Sequence, residues 1–191
     1  VNKSTVPVGS GDLVASIIAE QGADPSLFDV VSNPEFLREG SAISDTLHPD
    51  RIVIGAKSRE AAEKLASVYE PLESEVLITD LESAELIKYG ANSFLAAKIS
   101  FINAMSRICE LAGANIADVS KGIGMDKRIG HQFLHAGLGW GGSCFPKDVQ
   151  GLVKVSEKLG YDFAFLKEVE AINTDQTLHF IGRMRKAMGG F

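Results

Sequence analysis

The first eighty residues alternate between two patterns of apolar and polar positions. Three short runs rich in β-branched residues predict buried strands, and they lie at residues 28–31, 51–55 and 75–79. Apolar residues recur at helical spacing before the first run and between the second and third runs, and Ser58 is placed to cap the second of these helices. Strands separated by helices predict an α/β region with a parallel or mixed sheet over residues 1–80.

The pattern becomes purely helical after Asp80. From Leu81 to Ala112 there is no proline and one glycine, and apolar residues recur on more than one side of a helix. This predicts one helix of about 30 residues, ~45 Å long, ending at Gly113. Shorter helices are expected at 115–122, 127–135, 146–159 and 165–188. We therefore predict an all-α domain over residues 81–191, in which the long helix packs in a bundle or against a symmetry mate.

Composition narrows the possible partners. The chain carries 19 Lys+Arg against 25 Asp+Glu, a net charge of −6, and 45% of its residues are hydrophobic. Without a run of basic residues, a nucleic-acid surface is not expected. No apolar stretch approaches the ~20 residues of a membrane span, and no secretory signal opens the sequence. Two cysteines suggest a reducing compartment, so we expect a cytoplasmic protein.

The segment from Gly137 to Asp148 carries the densest chemical signal. Four glycines fall within six residues, which is typical of a loop whose backbone approaches another group closely. Pro146 suits the first turn of the next helix, and this places Cys144 at a helix N-terminus, where free N–H groups favour a thiolate. Asp148 follows one turn later. A cysteine at a helix start is often only a small apolar residue, but the glycines and the acid favour Cys144 as a nucleophile.

Two motifs in the same region are interpreted as accidental. Gly137, Gly139 and Gly142 match the spacing of the dinucleotide fingerprint, but that motif must follow a strand, and residues 128–136 have a helical pattern. His131 and His135 are spaced to share a helix face, yet no third metal ligand is near in the sequence, so no metal site is expected. Cys109 lies on the apolar face of the long helix and is expected to be an inert core residue.

Two further pairs of polar residues have alternative interpretations. Lys88 and Asn92 lie one turn apart on the long helix and form either a solvated face or, among apolar neighbours, a pair able to share a proton with a substrate hydroxyl. Glu35 and Glu39 follow the first strand, where α/β sheets bind ligands. They are either a source of a general base or exposed acids in the first turn of a helix.

Four segments together resemble a known family. They are Lys3–Gly9, Asn33–Gly40, Pro49–Gly55 and Gly139–Asp148, and they resemble the UDP-glucose/GDP-mannose dehydrogenase family over nearly the whole chain. The resemblance implies an enzyme that oxidises the C6 alcohol of a sugar nucleotide to a carboxylate, with two NAD+ and a covalent cysteine intermediate. The motifs favour UDP-glucose as substrate and UDP-glucuronate, a polysaccharide precursor, as product. GDP-mannose and UDP-N-acetylmannosamine remain alternative substrates.

The resemblance also implies catalytic roles. Cys144 would capture the C6 aldehyde as a thiohemiacetal, which is then oxidised to a thioester. Lys88 and Asn92, with Asp148, would stabilise oxyanions and hold a water. Glu35 would be the base for thioester hydrolysis. The positions expected to be catalytic are Cys144, Lys88, Asn92, Asp148, Glu35 and Thr5.

Binding roles follow in the same way. The loop over residues 135–141 would grip the sugar nucleotide largely through its backbone. The positions expected to bind substrate are Glu35, Phe36, Leu37, Arg38, Glu39, Lys88, Asn92, Arg128, His135, Gly137, Gly139, Trp140 and Gly141. Those expected beside the NAD cofactor are Thr5, Glu39 and Cys144.

The resemblance places the chain inside a longer enzyme. Family members begin with a strand and a true glycine fingerprint and end with a second α/β domain, and neither is found in these 191 residues. Residues 1–80 would be the C-terminal half of a Rossmann-like NAD domain, joined through the long helix to the helical central domain through which the family dimerises. A homodimer is therefore expected. The chain alone is expected to lack turnover, so an inactive dimerisation module is an alternative. A cysteine hydrolase is disfavoured because no histidine is well placed beside Cys144.

Overall fold

The computed structural model describes residues 1–190 and contains two compact units, which divide after Gly90. The strands are β1 Val31–Ser32, β2 Ile52–Ala56 and β3 Val76–Thr79. The helices are α1 Ser10–Glu20, α2 Ala42–Leu47, α3 Arg59–Tyr69, α4 Leu81–Ala112, α5 Ile116–Gly124, α6 Phe145–Lys158 and α7 Ala164–Ala187. This order confirms the predicted α/β region followed by an all-α region. The boundary near residue 80 stays a prediction.

The first unit is built on a mixed three-stranded sheet. Strand β2 lies in the centre, antiparallel to β1 and parallel to β3. Asn2 extends the sheet through a parallel bridge to Ser32. Helix α3 packs on the sheet through Ala62, and the Ser58 hydroxyl accepts a hydrogen bond from the Ala61 N–H at 3.1 Å, as predicted for its N-cap.

Helix α4 has the predicted bounds. Gly113 follows it with a φ of +71°, a left-handed conformation that favours glycine and ends the helix. In the second unit its buried residues Ala96 and Ala97 pack against Trp140, Val149 and Val169 to form the core. Within residues 1–190, no helix combines the length and the apolar character needed to cross a membrane.

The helix predicted over residues 127–135 is wrong. The chain there forms successive turns, because the Asp126 carbonyl accepts N–H bonds from both Ile129 and Gly130, and Gly130 has a φ of +71°. His131 and His135 therefore lose the helical spacing that suggested a metal pair. Residues 128–136 are not helical as predicted, and no strand leads directly into Gly137, so the glycines still lack the strand that a dinucleotide fingerprint follows.

Two smaller differences concern the first unit. Helix α2 was not predicted, and it begins at Ala42, after the loop that carries Glu35 and Glu39. These acids therefore do not lie in the first turn of a helix. The apolar face of α1 is also largely exposed: Leu13 retains 60% of its accessible surface.

Candidate active site

The loop over residues 33–40 is anchored where it leaves β1. The buried Asn33 side chain donates to the Val53 carbonyl at 2.8 Å and accepts from the Lys3 ammonium at 2.8 Å. Tyr69 donates its hydroxyl hydrogen to the same Asn33 oxygen. A buried amide with all these partners is rigid, so the residues that follow it start from a defined position.

Lys88 is a buried cation that faces this loop. Only 3% of the residue is exposed, which excludes the interpretation of a solvated polar face. Its Nζ lies 3.4 Å from a carboxylate oxygen of Glu35 and 5.4 Å from the centre of the Phe36 ring, and the Arg51 guanidinium lies 3.9 Å from the centre of that ring. The other Glu35 oxygen accepts the Leu37 N–H at 2.7 Å. The structure thus pairs two predicted catalytic residues, a half-buried carboxylate and a buried ammonium.

The second half of the loop is tied to α2. Arg38 donates its backbone N–H to Asp45 at 2.8 Å and forms an ion pair with the same carboxylate. Hydrogen bonds from the Arg38 guanidinium hold the pKa of Asp45 well below its usual range. Leu37 and Glu39 are exposed. Of the predicted binding residues here, Arg38 therefore already has a protein partner.

Thr5 lies in the half-buried extended segment before α1. The turn that follows it is held by Glu85, whose carboxylate accepts the Gly9 N–H at 2.7 Å and the Gly11 N–H at 2.9 Å. Burial raises the pKa of Glu85 above its ordinary value, against the opposing effect of these two hydrogen bonds. Glu85 lies one turn before Lys88 on α4, so the same helix orients the loop after β1 and the turn after Thr5.

In the second unit, Cys144 occupies the N-cap of α6, as predicted. Its carbonyl accepts the Asp148 N–H at 2.9 Å, and its sulfur lies 3.6 Å from the Ser143 hydroxyl. The residue is half-buried and its thiol is not in a disulfide. Cys109 is buried and also a free thiol, in agreement with its predicted place in the core.

Asp148 is the most deeply buried acid of the second unit. It is fully enclosed and accepts hydrogen bonds from the Asn92 amide at 2.6 Å and from the Lys147 ammonium at 2.7 Å. Asn92 is itself buried, so it does not belong to a solvated face. A buried carboxylate that has both an amide and an ammonium partner has its acceptor oxygens satisfied, and it holds the amide in one orientation.

The remaining predicted binding residues lie in and before the glycine-rich loop. Trp140 is buried, whereas His135, Gly137, Gly139 and Gly141 are exposed. Arg128 extends into solvent and forms an ion pair with Asp126, lowering the pKa of that carboxyl through its hydrogen bonds. Within residues 1–190, no group of three or more His, Cys, Asp or Glu residues is arranged to hold a metal ion.

Sequence reasoning missed several residues that hold these groups in place. Glu85 had a usable signal: a charged residue falls on the buried face of the predicted helix, three positions before Lys88. Lys147 lies within the cysteine motif, but nothing in the sequence indicates that it pairs with Asp148. The partners of the glycine-rich loop had no local signal, because they come from distant parts of the chain; they are Asn103, Asn173 and Gln176.

Comparison with known proteins identifies the family. The model of the NAD binding domain of the UDP-glucose/GDP-mannose dehydrogenase family matches residues 1–73, and the model of its central domain matches residues 82–175. The chain belongs to this family. The resemblance predicted from the four motifs is confirmed.

Relatives from the same family match this chain over nearly its whole length. UDP-glucose 6-dehydrogenase TuaD of Bacillus subtilis is 51% identical over 99% of this chain and 41% of its own length. The structure of a UDP-glucose dehydrogenase from Pyrobaculum islandicum has a TM-score of 0.94 and 43% identity, over 99% of this chain and 44% of that one. The structure of GDP-mannose dehydrogenase from Pseudomonas aeruginosa has a TM-score of 0.62 and 32% identity, over 91% of this chain and 41% of that one. The chain thus spans less than half the length of the relatives it matches.

Proposed function

We propose that this chain carries the catalytic core of an NAD-dependent nucleotide-sugar dehydrogenase that oxidises UDP-glucose to UDP-glucuronate. The observation that carries the proposal is the pair of polar clusters about α4. Lys88 pairs with Glu35, and Asn92 one turn later pairs with Asp148 in the first turn of the helix that Cys144 caps. Each unit thus holds one buried polar residue of α4 against a carboxylate, and each such pair suits the stabilisation of developing negative charge.

The residues suggest a division of labour. The Cys144 sulfur would add to the C6 aldehyde from its place at the N-terminus of α6. The Lys88 ammonium and the Asn92 amide, which Asp148 orients, would donate hydrogen bonds to the oxyanion and to a water. Glu35 would take the proton of that water as it hydrolyses the thioester, with Thr5 close by. Lys88 would hold the Glu35 carboxylate in place through their ion pair.

NAD+ would supply the hydride acceptor for both oxidations. The described residues fit only part of this cofactor: within residues 1–190, no strand leads into a glycine fingerprint that would cradle a pyrophosphate. Thr5, Glu39 and Cys144 would lie on the nicotinamide side. We therefore expect no NADH signal when this chain alone is mixed with UDP-glucose and NAD+.

We propose UDP-glucose as the substrate because this chain is more similar to the relatives named for UDP-glucose than to the relative named for GDP-mannose. The two relatives named for UDP-glucose are 51% and 43% identical to this chain, against 32% for the one named for GDP-mannose. UDP-N-acetylmannosamine is the further alternative. Following NADH absorbance of the full-length protein with each sugar nucleotide in turn separates the three, and turnover with GDP-mannose alone would contradict the proposal.

The covalent mechanism is tested by replacing the two cysteines separately in the full-length protein. Cys144→Ser should abolish formation of uronic acid, because a serine hydroxyl is a poorer nucleophile and forms no thioester. Cys109→Ala, which removes the buried thiol on α4, should retain acid formation. Product is measured by mass spectrometry. Uronic acid formed by Cys144→Ser at the wild-type rate would rule out the covalent step.

A second proposed role is dimerisation through α4. Phe94, Phe101 and Ile108 recur every seven residues and are exposed by 66%, 51% and 56%, and we call them the α4 stripe. Exposed aromatic and aliphatic side chains at this spacing suit a helix that packs against a second copy of itself. We propose a homodimer, and also a cytoplasmic location, which the free thiols of Cys109 and Cys144 support.

A further inference from the structure

The backbone of the glycine-rich loop is held by side-chain amides. Asn173 on α7 accepts the Trp140 N–H at 2.7 Å and donates to the Trp140 carbonyl at 2.9 Å, so that one side chain pairs with both backbone groups of one residue. The Gly137 carbonyl accepts from Gln176 at 2.8 Å, and the Gly137 N–H donates to Asn103 at 2.8 Å. We call Asn103, Asn173 and Gln176 the amide clamp.

Two residues of the clamp, Asn173 and Gln176, continue the core-facing side of α7. Leu166, Val169, Asn173 and Gln176 follow one another at helical spacing, and the first two are buried apolar residues. The core-facing side of the helix therefore becomes polar where the loop crosses it. A loop segment without strand or helix partners gains a fixed backbone conformation from such groups, because they pair its N–H and C=O groups.

Gly139 is shaped by the same contact. Its φ is +120°, and a Cβ built there would lie 2.5 Å from the side-chain oxygen of Asn173. Only glycine permits both this conformation and this approach. The glycine at 139 is thus explained by the clamp, and it need not be explained by a ligand.

The clamp acts on the substrate loop more than on the nucleophile. The Trp140 indole is anchored separately, since it donates to the Ser100 hydroxyl at 2.9 Å and packs edge-on against Phe145. Cys144 is held by α6, through the Asp148 N–H bond to its carbonyl. Loss of Asn173 would free both backbone groups of Trp140 while leaving the Cys144 cap in place.

We propose that Asn173 is a positioning residue that fixes the backbone of residues 137–140 in the conformation that receives the sugar nucleotide. The inference rests on the proposed function, because it takes this loop as the part that grips the substrate. A positioning role of this kind raises KM while kcat changes little, since the loop contributes binding and Cys144 and Lys88 contribute chemistry.

The test compares three variants of the full-length protein. Asn173→Leu removes both hydrogen bonds at similar volume, and it should raise the KM for UDP-glucose roughly tenfold or more while kcat stays within about threefold. Thr174→Val is the matched control, because it removes a hydrogen bond to Glu170 on the same helix without touching the loop. Its KM should equal that of the wild type. Alkylation of Cys144 by iodoacetamide should proceed at the wild-type rate in both variants.

Asn173→Asp adds a readout that general loss of structure would not produce. The ionised carboxylate accepts the Trp140 N–H but cannot donate to the Trp140 carbonyl, whereas the protonated acid does both. From about pH 6 to about pH 8 the carboxyl is ionised. The variant therefore keeps the size of the side chain but lacks the hydrogen bond to the Trp140 carbonyl, and its KM for UDP-glucose should exceed the wild-type value while kcat changes little. A KM of Asn173→Asp equal to that of the wild type over this range would overturn the proposal.

Three further outcomes separate the clamp from the proposed function. Wild-type protein that binds no sugar nucleotide would refute the function, and hydrogen exchange at the Trp140 amide would still test the clamp. That amide should exchange faster in Asn173→Leu than in the wild type, and unchanged exchange would refute the clamp. An Asn173→Leu variant with faster exchange but unchanged KM, in an enzyme that does bind UDP-glucose, would refute the positioning role alone.

Discussion

Buried ionisable side chains are the feature that most distinguishes this chain at the scale of single residues. Lys88, Glu85 and Asp148 are each at most 3% exposed. Each has a different partner: a carboxylate for Lys88, two backbone N–H groups for Glu85, and an amide with an ammonium for Asp148. Buried charges persist only with such partners, so the three residues mark positions where orientation has been favoured over simple apolar packing.

Glu85 leads to a prediction about pH. Because burial raises its folded-state pKa above the ordinary value, protonation of Glu85 favours the folded state. The stability it contributes is present below the unfolded-state pKa and is lost as pH rises through the raised folded pKa. Relative to Glu85→Gln, the wild type should thus become less stable as pH rises from about 4 to about 7. Urea unfolding of both proteins across this range measures the difference.

A stability difference that stays constant or grows in favour of the wild type over that range would contradict the assignment. Glu82→Gln is the control, because Glu82 lies on the same helix but is exposed. Its stability relative to the wild type should show little of this slope.

The close approach of α4 to the central strand is the corresponding feature at the scale of elements. Gly55 in β2 lies beneath the first turn of α4, and a Cβ there would lie 2.4 Å from the Ala84 Cβ and 2.6 Å from the Asp80 carbonyl oxygen. Both contacts are far below van der Waals distance. A glycine in a central strand is ordinarily destabilising, so its presence here reflects the space that the helix requires.

We therefore predict that Gly55→Ala destabilises the chain by about 1–3 kcal/mol through overpacking. Gly122→Ala is the matched control, because Gly122 lies within α5 with open space around its Cα. That substitution should stabilise by up to about 1 kcal/mol, since alanine is the better helix former. Chemical denaturation measures both changes. Equal effects from the two substitutions would mean that α4 does not pack on β2 as closely as described.

An unpartnered apolar stripe is the main feature at the scale of the whole molecule. The α4 stripe leaves two phenylalanines and an isoleucine exposed on a 32-residue helix. Association with a second copy would remove this surface from water, at roughly 25 cal/mol per Å² of apolar area.

Phe101→Glu should convert the proposed dimer to a monomer, because it places a charge at the centre of the stripe. Leu159→Glu is the control: Leu159 is also exposed, by 73%, but it lies at the end of α6. Sedimentation velocity of the chain and both variants gives the masses. A monomeric wild type, or a Phe101→Glu variant that remains dimeric, would contradict dimerisation through α4.

Much of the fold was predictable because it depends on local pattern. Apolar spacing located α4 to the residue, and Ser58 and Cys144 were correctly placed at helix caps, since capping depends on neighbours a few positions away. The helix predicted over 127–135 was wrong because apolar spacing alone does not detect residues that favour a turn. Its apolar spacing was adequate, but Asp126 and Gly130 together favour a turn that the periodicity does not register.

The sequence by itself determined the family, the nucleophile candidate and the helical spacing of Lys88 and Asn92, because motifs and periodicity are properties of short segments. The tertiary structure alone decided which partner each buried polar group has. Lys88 pairs with Glu35, which lies 53 positions away in the sequence. Trp140 pairs with Asn173, which lies 33 positions away. Such pairs form only when the folded chain brings distant segments together, and burial then requires that every charge and backbone group find a partner.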